Sequence, residues 1–230
     1  MQAVILAGGL GKRLRPITED VPKPLVPVCG KPVVEYTLEN LPAEIIEVIF
    51  VIGYKGEMIK DLYGHNAFGK KISYVVQEQQ LGTGHAVKCA ASLVDMPFIL
   101  LYGDDIYGKE GLQKLVKREW ALLARRVEHP ERFGVLKLNE DGTVSDMVEK
   151  PKEFISDLSW VGGAKFQAEF MQVETPLSQR GEYEVPDMVN VLIKQGKKFY
   201  PELTDLWLPV NTLEEVAEAE RVIKDVGGRQ

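Results

Sequence analysis

The chain has 230 residues, 45% of them hydrophobic, and its formal net charge is −6. This length and composition suit one α/β domain with a sizeable core and exclude bulk disorder. Because acidic and basic residues are mixed along an acidic chain, nonspecific binding of nucleic acid or of an anionic membrane is excluded.

Short apolar runs alternate with amphipathic stretches in the first half of the chain. Near-continuous hydrophobicity predicts buried strands at residues 3–6, 48–52, 72–76 and 98–102. Helices are predicted after Pro32, where apolar residues recur at helical spacing, and over residues 83–94 and 109–124. This alternation predicts an α/β, Rossmann-like, doubly wound fold with a mixed, mostly parallel sheet.

The second half of the chain is richer in β signals. Strands are predicted at residues 134–138 and 143–148, joined by a turn that contains Asp141-Gly142. A helix is predicted over residues 184–195. A final helix begins at Thr212, which forms capping-box spacing with Glu215. No linker or repeat interrupts the sequence, so we predict a single domain.

A glycine-rich loop follows the first predicted strand. Gly8, Gly9 and Gly11 permit tight turns that bring backbone N–H groups close to phosphate oxygens, and Lys12 and Arg13 add positive charge. The Walker A pattern fails because arginine follows Gly-Lys, and the dinucleotide-binding pattern lacks its third glycine. An ordinary strand-to-helix turn is the alternative, but glycines beside cations favour phosphate binding.

Lys23 lies in a proline-rich stretch, VPKPLVPVCGKP, at residues 21–32. Because proline fixes φ, the backbone at Lys23 is held rather than floppy. The alternative interpretation is an ordinary surface lysine in a loop.

The segments LAGGLGKRLRPIT and VPKPLVPVCGKPVVEY resemble the signature of the sugar-phosphate nucleotidyltransferases, and the similarity continues almost to the end of the chain. That family includes glucose-1-phosphate thymidylyl- and uridylyltransferases, N-acetylglucosamine-1-phosphate uridylyltransferases and mannose-1-phosphate guanylyltransferases. The resemblance implies that Arg13 grips the triphosphate and the leaving pyrophosphate, and that Lys23 contacts the sugar phosphate or the α-phosphate. Lys12 departs from the pattern, since many members have threonine there.

Gln77 ends a predicted strand, ahead of the run LGTGHA at residues 81–86. A side-chain amide has both a donor and an acceptor, which suit the N3–H and a carbonyl of uracil or thymine. Uridylyl- and thymidylyltransferases carry glutamine at the matching position, and the run resembles the N-acetylglucosamine-1-phosphate uridylyltransferase branch. His85 is interpreted as a structural residue without a functional role. The predicted nucleotide-binding residues are Leu6, Ala7, Gly8, Gly9, Gly11, Lys12, Gln77, Gly82 and Thr83.

Two oxygen-bearing side chains are candidate ligands of Mg²⁺, which prefers hard oxygen donors. Asp104 follows the predicted strand at residues 98–102 and matches the Gly-Asp motif of the family, whereas Asp105 is a second layer or a turn residue. Asn211 lies in WLPVNTLEE, which resembles the late metal-site motif. The alternative for both candidates is a turn residue without a ligand.

The resemblance also implies a sugar-binding set in the second half of the chain. Gly134 is expected to approach the sugar closely, Glu149 to accept from its hydroxyls and Lys150 to approach the phosphate. Gly163 and Glu184 are further candidates, although Glu184 is equally well explained as an acidic helix start.

One position departs from the family pattern. Val161 stands where many relatives have an asparagine that helps to hold the sugar. Because of this difference, the sequence does not identify the sugar. The difference is also the only support for the alternative that this chain is a noncatalytic relative that binds nucleotide sugars.

We therefore expect a Mg²⁺-dependent nucleotidyltransferase that joins UTP or dTTP to a sugar 1-phosphate such as glucose or N-acetylglucosamine 1-phosphate. A nucleotide-binding half spans about residues 1–108 and a sugar-binding half about residues 109–230. The alternatives are a mannose-1-phosphate guanylyltransferase and the noncatalytic relative. No nucleic-acid or membrane partner is expected, whereas a homo-oligomer is compatible with the sequence.

The cysteines and the chain ends bear on location and on further activities. Cys29 and Cys89 have no CxxC partner, so reduced thiols in a cytoplasmic protein are expected rather than a zinc site or disulfides. The apolar run at residues 3–7 is short for a signal peptide. Without residues for a C-terminal β-helix, we expect no second acetyltransferase activity.

Overall fold

The computed structural model describes residues 1–227 of the chain. Its strands, in chain order, are β1 (Gln2–Ala7), β2 (Pro27–Val28), β3 (Lys31–Pro32), β4 (Glu47–Ile52), β5 (Asn66–Ala67), β6 (Lys70–Val76), β7 (Phe98–Tyr102), β8 (Asp105–Tyr107), β9 (Ala121–Arg126), β10 (Gly134–Leu138), β11 (Val144–Glu149), β12 (Leu158–Phe166), β13 (Tyr200–Leu203) and β14 (Trp207–Pro209). Its α-helices are α1 (Ile17–Asp20), α2 (Val33–Asn40), α3 (Gly56–Tyr63), α4 (Thr83–Cys89), α5 (Lys109–Val116), α6 (Val185–Lys194) and α7 (Leu213–Gly227). Among these residues, no helix combines the length and apolar character that crossing a membrane requires.

Four parallel strands form the centre of the main sheet. β1 lies between β7 and β4 and is parallel to both, and β6 adds to β4 in the same direction. Their carboxyl ends therefore meet at one edge of the sheet, where open α/β folds bind ligands.

The second half of the chain extends this sheet with antiparallel pairs. β12 pairs antiparallel with β7, and it also pairs with β10 and β9. β11 pairs with β10, and β13 runs parallel to β9. The predicted α/β fold with a mixed sheet is confirmed.

Helices cover both faces of the sheet, as the doubly wound prediction requires. Val4 packs in one buried cluster with Val87 of α4 and Val189 of α6. The next residue, Ile5, packs in a second cluster with Leu38 of α2. Since successive side chains of a strand point to opposite faces, this alternation shows why the strands are apolar throughout.

Two predicted helices extend too far. The helix predicted over residues 109–124 is wrong beyond Val116, because α5 ends there and the strand β9 begins at Ala121. Leu122 and Leu123 belong to the two opposite core clusters, and a short apolar run that is buried on both sides has no period that separates strand from helix. The helix predicted over residues 83–94 ends at Cys89 and continues as turns.

Sequence analysis assigned no strand to residues 158–166, yet β12 is buried along its whole length. Gly162 and Gly163 lie at its centre, and glycine weakens the strand signal of a sequence. Pairing with several neighbouring strands supplies what the local sequence lacks.

Candidate active site

Two adjoining cavities open at the carboxyl edge of the parallel strands. The first cavity, of about 320 Å³, lies between the loop after β1 and the start of α4. Its wall includes these predicted residues: Leu6, Ala7, Gly8, Gly9, Lys23, Gln77, Gly82, Thr83 and Asp104. Residues from four separate segments of the chain therefore face one space.

The second cavity, of about 450 Å³, lies towards the antiparallel strands. Its wall includes the predicted residues Arg13, Gly134, Glu149, Lys150, Asp104 and Asn211. Tyr102 and Asp104 line both cavities, so one tyrosine and one carboxylate form their common boundary.

Four predicted residues lie outside these two cavities: Gly11, Lys12, Gly163 and Glu184, the last of which lines a third, smaller cavity. Gly11 turns towards Thr18, whose hydroxyl donates to the Gly11 carbonyl at 2.8 Å, and Lys12 is exposed beside it. Gly163 faces the core, because a Cβ built on it would lie 3.0 Å from Leu123 Cβ. The neighbouring Gly162 lines the second cavity together with Trp160 and Val161, at a point where the pairing of β12 is irregular and Gly162 has a φ of +80°.

Gln77 follows β6 directly and is 7% exposed in the wall of the first cavity. Its Nε2 lies 3.2 Å from the Gly82 carbonyl oxygen and 3.1 Å from His85 Nδ1. Its Oε1 lies next to Gly8, where an added Cβ would meet it at 3.2 Å.

Lys23 joins the two candidate metal ligands. Its ammonium group contacts the Asp104 carboxylate and donates to the Asn211 amide oxygen at 2.7 Å. Arg13 also donates to this Asn211 oxygen, at 3.1 Å. Two cationic side chains, those of Lys23 and Arg13, thus donate to the same oxygen of Asn211.

Backbone pairing brings Asp104 and Asn211 together. β14 pairs with β8, and the N–H of Val210 donates to the Asp104 carbonyl at 3.0 Å. The Asn211 N–H in turn donates to the Glu215 carboxylate at 2.8 Å, and the Glu215 N–H donates to the Thr212 hydroxyl at 3.3 Å. The predicted cap of the last helix therefore also fixes the backbone at Asn211.

The buried side chain of Asp105 supports the backbone next to Asp104. Its carboxylate is 4% exposed and accepts from Trp207 Nε1 at 3.0 Å and from the Tyr107 hydroxyl at 3.2 Å. Burial, and then the charge of Asp104, raise the pKa of Asp105 well above its usual range. These hydrogen bonds connect β14 to β8. Asp105 therefore lies in the layer behind the candidate metal ligands, which is one of the two interpretations that sequence analysis left open.

The residues at this point fit a magnesium ion by the chemistry of their donors. Asp104 and Asn211 each direct an oxygen to the same cationic atom, the Nζ of Lys23. Within residues 1–227, no three His, Cys, Asp or Glu side chains group as metal ligands would. A carboxylate and an amide oxygen suit Mg²⁺, which keeps several waters and takes phosphate oxygens as further ligands.

Acidic side chains and one arginine line a smaller cavity beside the second one. Arg180 lies 3.3 Å from the Glu149 carboxylate and 3.4 Å from that of Glu184. Burial raises the pKa of Glu149, with the lysine at position 150 acting in the opposite direction. Glu184, which sequence analysis left between two interpretations, is 4% exposed and lines this smaller cavity.

Sequence analysis missed Tyr102 and Arg180. Tyr102 is the last residue of β7, and its ring packs edge-on against Trp160 at 5.6 Å between centroids. Its position at the carboxyl end of a central strand was a usable signal. Arg180 lies in a polar loop, where no pattern in the sequence marks it.

The chain is similar to known proteins over almost its whole length. A family model described as nucleotidyl transferase matches residues 2–226. The bifunctional protein GlmU of Methanococcus maripaludis is 36% identical over an alignment of 238 residues, which covers 100% of this chain and 57% of that protein. The UTP–glucose-1-phosphate uridylyltransferase AglF of Haloferax volcanii is 35% identical, over 98% of this chain and 97% of its own length. The chain thus spans little more than half of the GlmU protein but nearly all of AglF.

Two solved structures share the fold. A protein from Bacillus anthracis described as a glucose-1-phosphate thymidylyltransferase, in complex with sucrose, superposes with a TM-score of 0.87 at 26% identity, over 98% of this chain and 96% of that one. A UDP-glucose pyrophosphorylase complexed with UDP-glucose gives a TM-score of 0.84 over 98% of this chain and 99% of that one, and its 23% identity bears on the fold alone. Since the family model covers almost the whole sequence, and the resemblance found in the motifs is confirmed, this chain belongs to the nucleotidyl transferase family.

Proposed function

We propose that this chain transfers a nucleoside monophosphate from UTP or dTTP to a sugar 1-phosphate and releases pyrophosphate. One observation carries the proposal: Lys23, Asp104 and Asn211 converge where two cavities of substrate size meet. Transfer between two phosphorylated substrates needs such a junction, since both reacting phosphates must reach one charged point.

The first cavity is proposed to hold the nucleotide. Gly8 and Gly9 provide backbone that can approach phosphate oxygens, and Gln77 lies deeper in the same wall. The uridylyltransferase name of the AglF relative supports UTP, and the thymidylyltransferase description of the Bacillus anthracis protein supports dTTP. We assign this cavity to a nucleotide-binding half over about residues 1–108.

The second cavity is proposed to hold the sugar 1-phosphate, with glucose or N-acetylglucosamine 1-phosphate as the first candidates. A Cβ on Gly134 would lie 3.3 Å from Glu149 Oε2 and 2.9 Å from Met147 Cε. The missing side chain therefore leaves the Glu149 carboxylate accessible to a ligand. Carboxylates accept from sugar hydroxyls, which supports the proposed sugar-binding half over about residues 109–230.

In the proposed mechanism, a phosphate oxygen of the sugar 1-phosphate attacks the α-phosphorus in line. The new P–O bond forms while the bond from the α-phosphorus to the bridging oxygen breaks, and that electron pair leaves with pyrophosphate. No side chain needs to act as a base, because a phosphate monoester is largely ionised near neutral pH. Lys23 is proposed to neutralise charge at the α-phosphate. Arg13, which lines the second cavity and reaches the junction of the two cavities at Asn211, is proposed to neutralise charge on the departing pyrophosphate there.

Asp104 and Asn211 are proposed to hold Mg²⁺, which when bound supplies positive charge shared between the two substrates. The proposed location is the cytoplasm, which suits the free thiols of Cys29 and Cys89.

Pyrophosphate release tests the proposal directly. UTP, dTTP, CTP, GTP and ATP are each combined with glucose, N-acetylglucosamine and mannose 1-phosphates, with and without Mg²⁺. We expect Mg²⁺-dependent release with UTP or dTTP and at least one sugar. Release only with GTP and mannose 1-phosphate would replace the nucleotide assignment. No release from folded protein that still binds a nucleotide sugar would replace the enzyme with a noncatalytic relative.

A further inference from the structure

His85 packs against Gln77 behind the first cavity. It lies in α4, one residue after the glycine pair that opens the helix, and its Nδ1 is 3.1 Å from Gln77 Nε2. His85 also lines a separate cavity of about 570 Å³ on the far side of α4, together with Lys88 and Tyr183. The histidine therefore reaches the wall of the first cavity only through the glutamine.

The Gly82 carbonyl and His85 together hold the Gln77 amide in one orientation. A backbone carbonyl oxygen only accepts, so the amide atom that lies 3.2 Å from it must be the nitrogen. His85 Nδ1 must then be an acceptor, which requires a neutral ring with its proton on Nε2. A reversed amide would place two oxygens against each other at Gly82.

Both hydrogens of the Gln77 amide are consequently used inside the protein, one at Gly82 and one at His85. The remaining polar atom, Oε1, lies beside Gly8 in the wall of the first cavity. The residue thus presents an acceptor to a ligand and no donor. This differs from the sequence-based expectation that Gln77 uses both groups towards the base.

We propose that His85 is a positioning residue that locks the Gln77 amide and thereby selects nucleobases with an N3–H group. This inference rests on the proposed nucleotide site. Uracil and thymine donate from N3 to the Gln77 oxygen, whereas N3 of cytosine carries a lone pair and would face another acceptor. Without the His85 contact, only Gly82 holds the Gln77 amide, so the reversed orientation, which turns the amide nitrogen towards N3 of cytosine, costs one hydrogen bond less.

Binding of UTP and CTP to the full chain tests the inference by calorimetry with Mg²⁺ and without a sugar phosphate. We expect the wild type to prefer UTP by at least about tenfold, a margin that one lost hydrogen bond and two opposed acceptors can supply. His85→Asn places an amide oxygen near the position of Nδ1 and should keep this preference. His85→Leu removes the acceptor and should lower the UTP-to-CTP ratio by about tenfold, mostly through tighter CTP binding.

The matched control is His65→Leu, since His65 is exposed and precedes β5, which pairs with the start of β6 rather than with the end that carries Gln77. Thermal melts verify that every variant is folded. A His85→Leu protein that keeps the wild-type ratio would overturn the positioning role. A wild-type protein without a preference for UTP over CTP would also overturn the positioning role. The transferase proposal would still stand in that case if the protein released pyrophosphate from another triphosphate. If His85→Leu does not fold, His85→Ala replaces it and is compared with His85→Asn and His85→Gln, which retain an acceptor. A UTP-to-CTP ratio that is reduced in His85→Ala alone supports the inference, and equal ratios in all three variants overturn it.

Discussion

The ammonium nitrogen of Lys23 lies 2.7 Å from the amide oxygen of Asn211, although 188 positions separate the two residues in the chain. Prolines on both sides hold the turn that carries Lys23. The backbone hydrogen bond from the Val210 N–H to the Asp104 carbonyl brings the next residue, Asn211, to the same point. The candidate site is therefore held by backbone structure on each side, and its side chains can be changed without removing the scaffold.

Replacing Lys23 tests the charge at this point. Its side chain is 12% exposed and contacts the Asp104 carboxylate. We expect Lys23→Met to lower kcat for pyrophosphate release by roughly 10²–10³-fold, because one preorganised charge is lost from the transition state. Lys117→Met, at the exposed residue that directly follows α5, is the control. Equal kcat values for the two variants would contradict the proposed role of Lys23.

Arg13→Ala and Asp104→Ala should abolish turnover without unfolding the protein. Arg13 is exposed, and the Asp104 contact that supports the fold is made by its backbone carbonyl, which alanine retains. Single-turnover pyrophosphate release measures the activity, and circular dichroism measures the fold. Normal rates in either variant would refute the proposed mechanism.

Gly82→Ala should destabilise the protein. Gly82 has a φ of +105°, and an added Cβ would lie 2.4 Å from the Tyr183 carbonyl oxygen. Gly142→Ala is the matched control, because Gly142 has a φ of +80° and open space around it. We expect Gly82→Ala to cost about 1–3 kcal/mol more than the control in urea unfolding, from overpacking against backbone. Equal costs would mean that only backbone strain matters at Gly82.

Glu149→Gln should stabilise the unliganded protein at pH 7 while it weakens sugar-phosphate binding. Burial raises the folded-state pKa of Glu149. A carboxyl with a raised folded pKa destabilises the fold above that pKa, and the penalty disappears as the pH falls through it towards the unfolded value. The gain in Tm should therefore be largest near pH 7 and shrink in acid.

Thermal melts from pH 7 to pH 4 measure this difference. Glu153→Gln, at an exposed position, is the control and should show no such trend. A Tm difference for Glu149→Gln that does not vary with pH would contradict the assignment of a raised pKa.

Val161→Asn introduces the residue that the family resemblance led us to expect at this position, and it should lower stability. Val161 is 2% exposed, packs in the core and lines the second cavity. An amide buried there without a partner should cost about 1–3 kcal/mol. If the amide faces the sugar, a saturating sugar 1-phosphate should raise the Tm of this variant more than that of the wild type. Val161→Ala separates the effect of volume, and an equal ligand shift in all three proteins would exclude a sugar contact at position 161.

The sequence by itself determined the strand–helix alternation and the position of the candidate groups at strand ends. The strand predicted at residues 98–102 has the bounds of β7, and Asp104 follows it as expected. These features are local: a buried parallel strand needs a continuous apolar run, and polar groups follow where that run ends. Gly8 and Gly9, which follow β1 and line the first cavity, could be predicted for the same reason.

Only the tertiary structure decided which of these residues meet. The pairing of β14 with β8 brings Asn211 to Asp104, and no local pattern encodes a contact between such distant segments. An irregular stretch of β12 places Gly162 at the second cavity and Gly163 against Leu123 in the core. The orientation of the Gln77 amide depends on a carbonyl and a ring that reach it only after α4 has packed against β6. Sequence periodicity reports which face of an element is buried, whereas distances between side chains follow from the pairing and packing of whole elements.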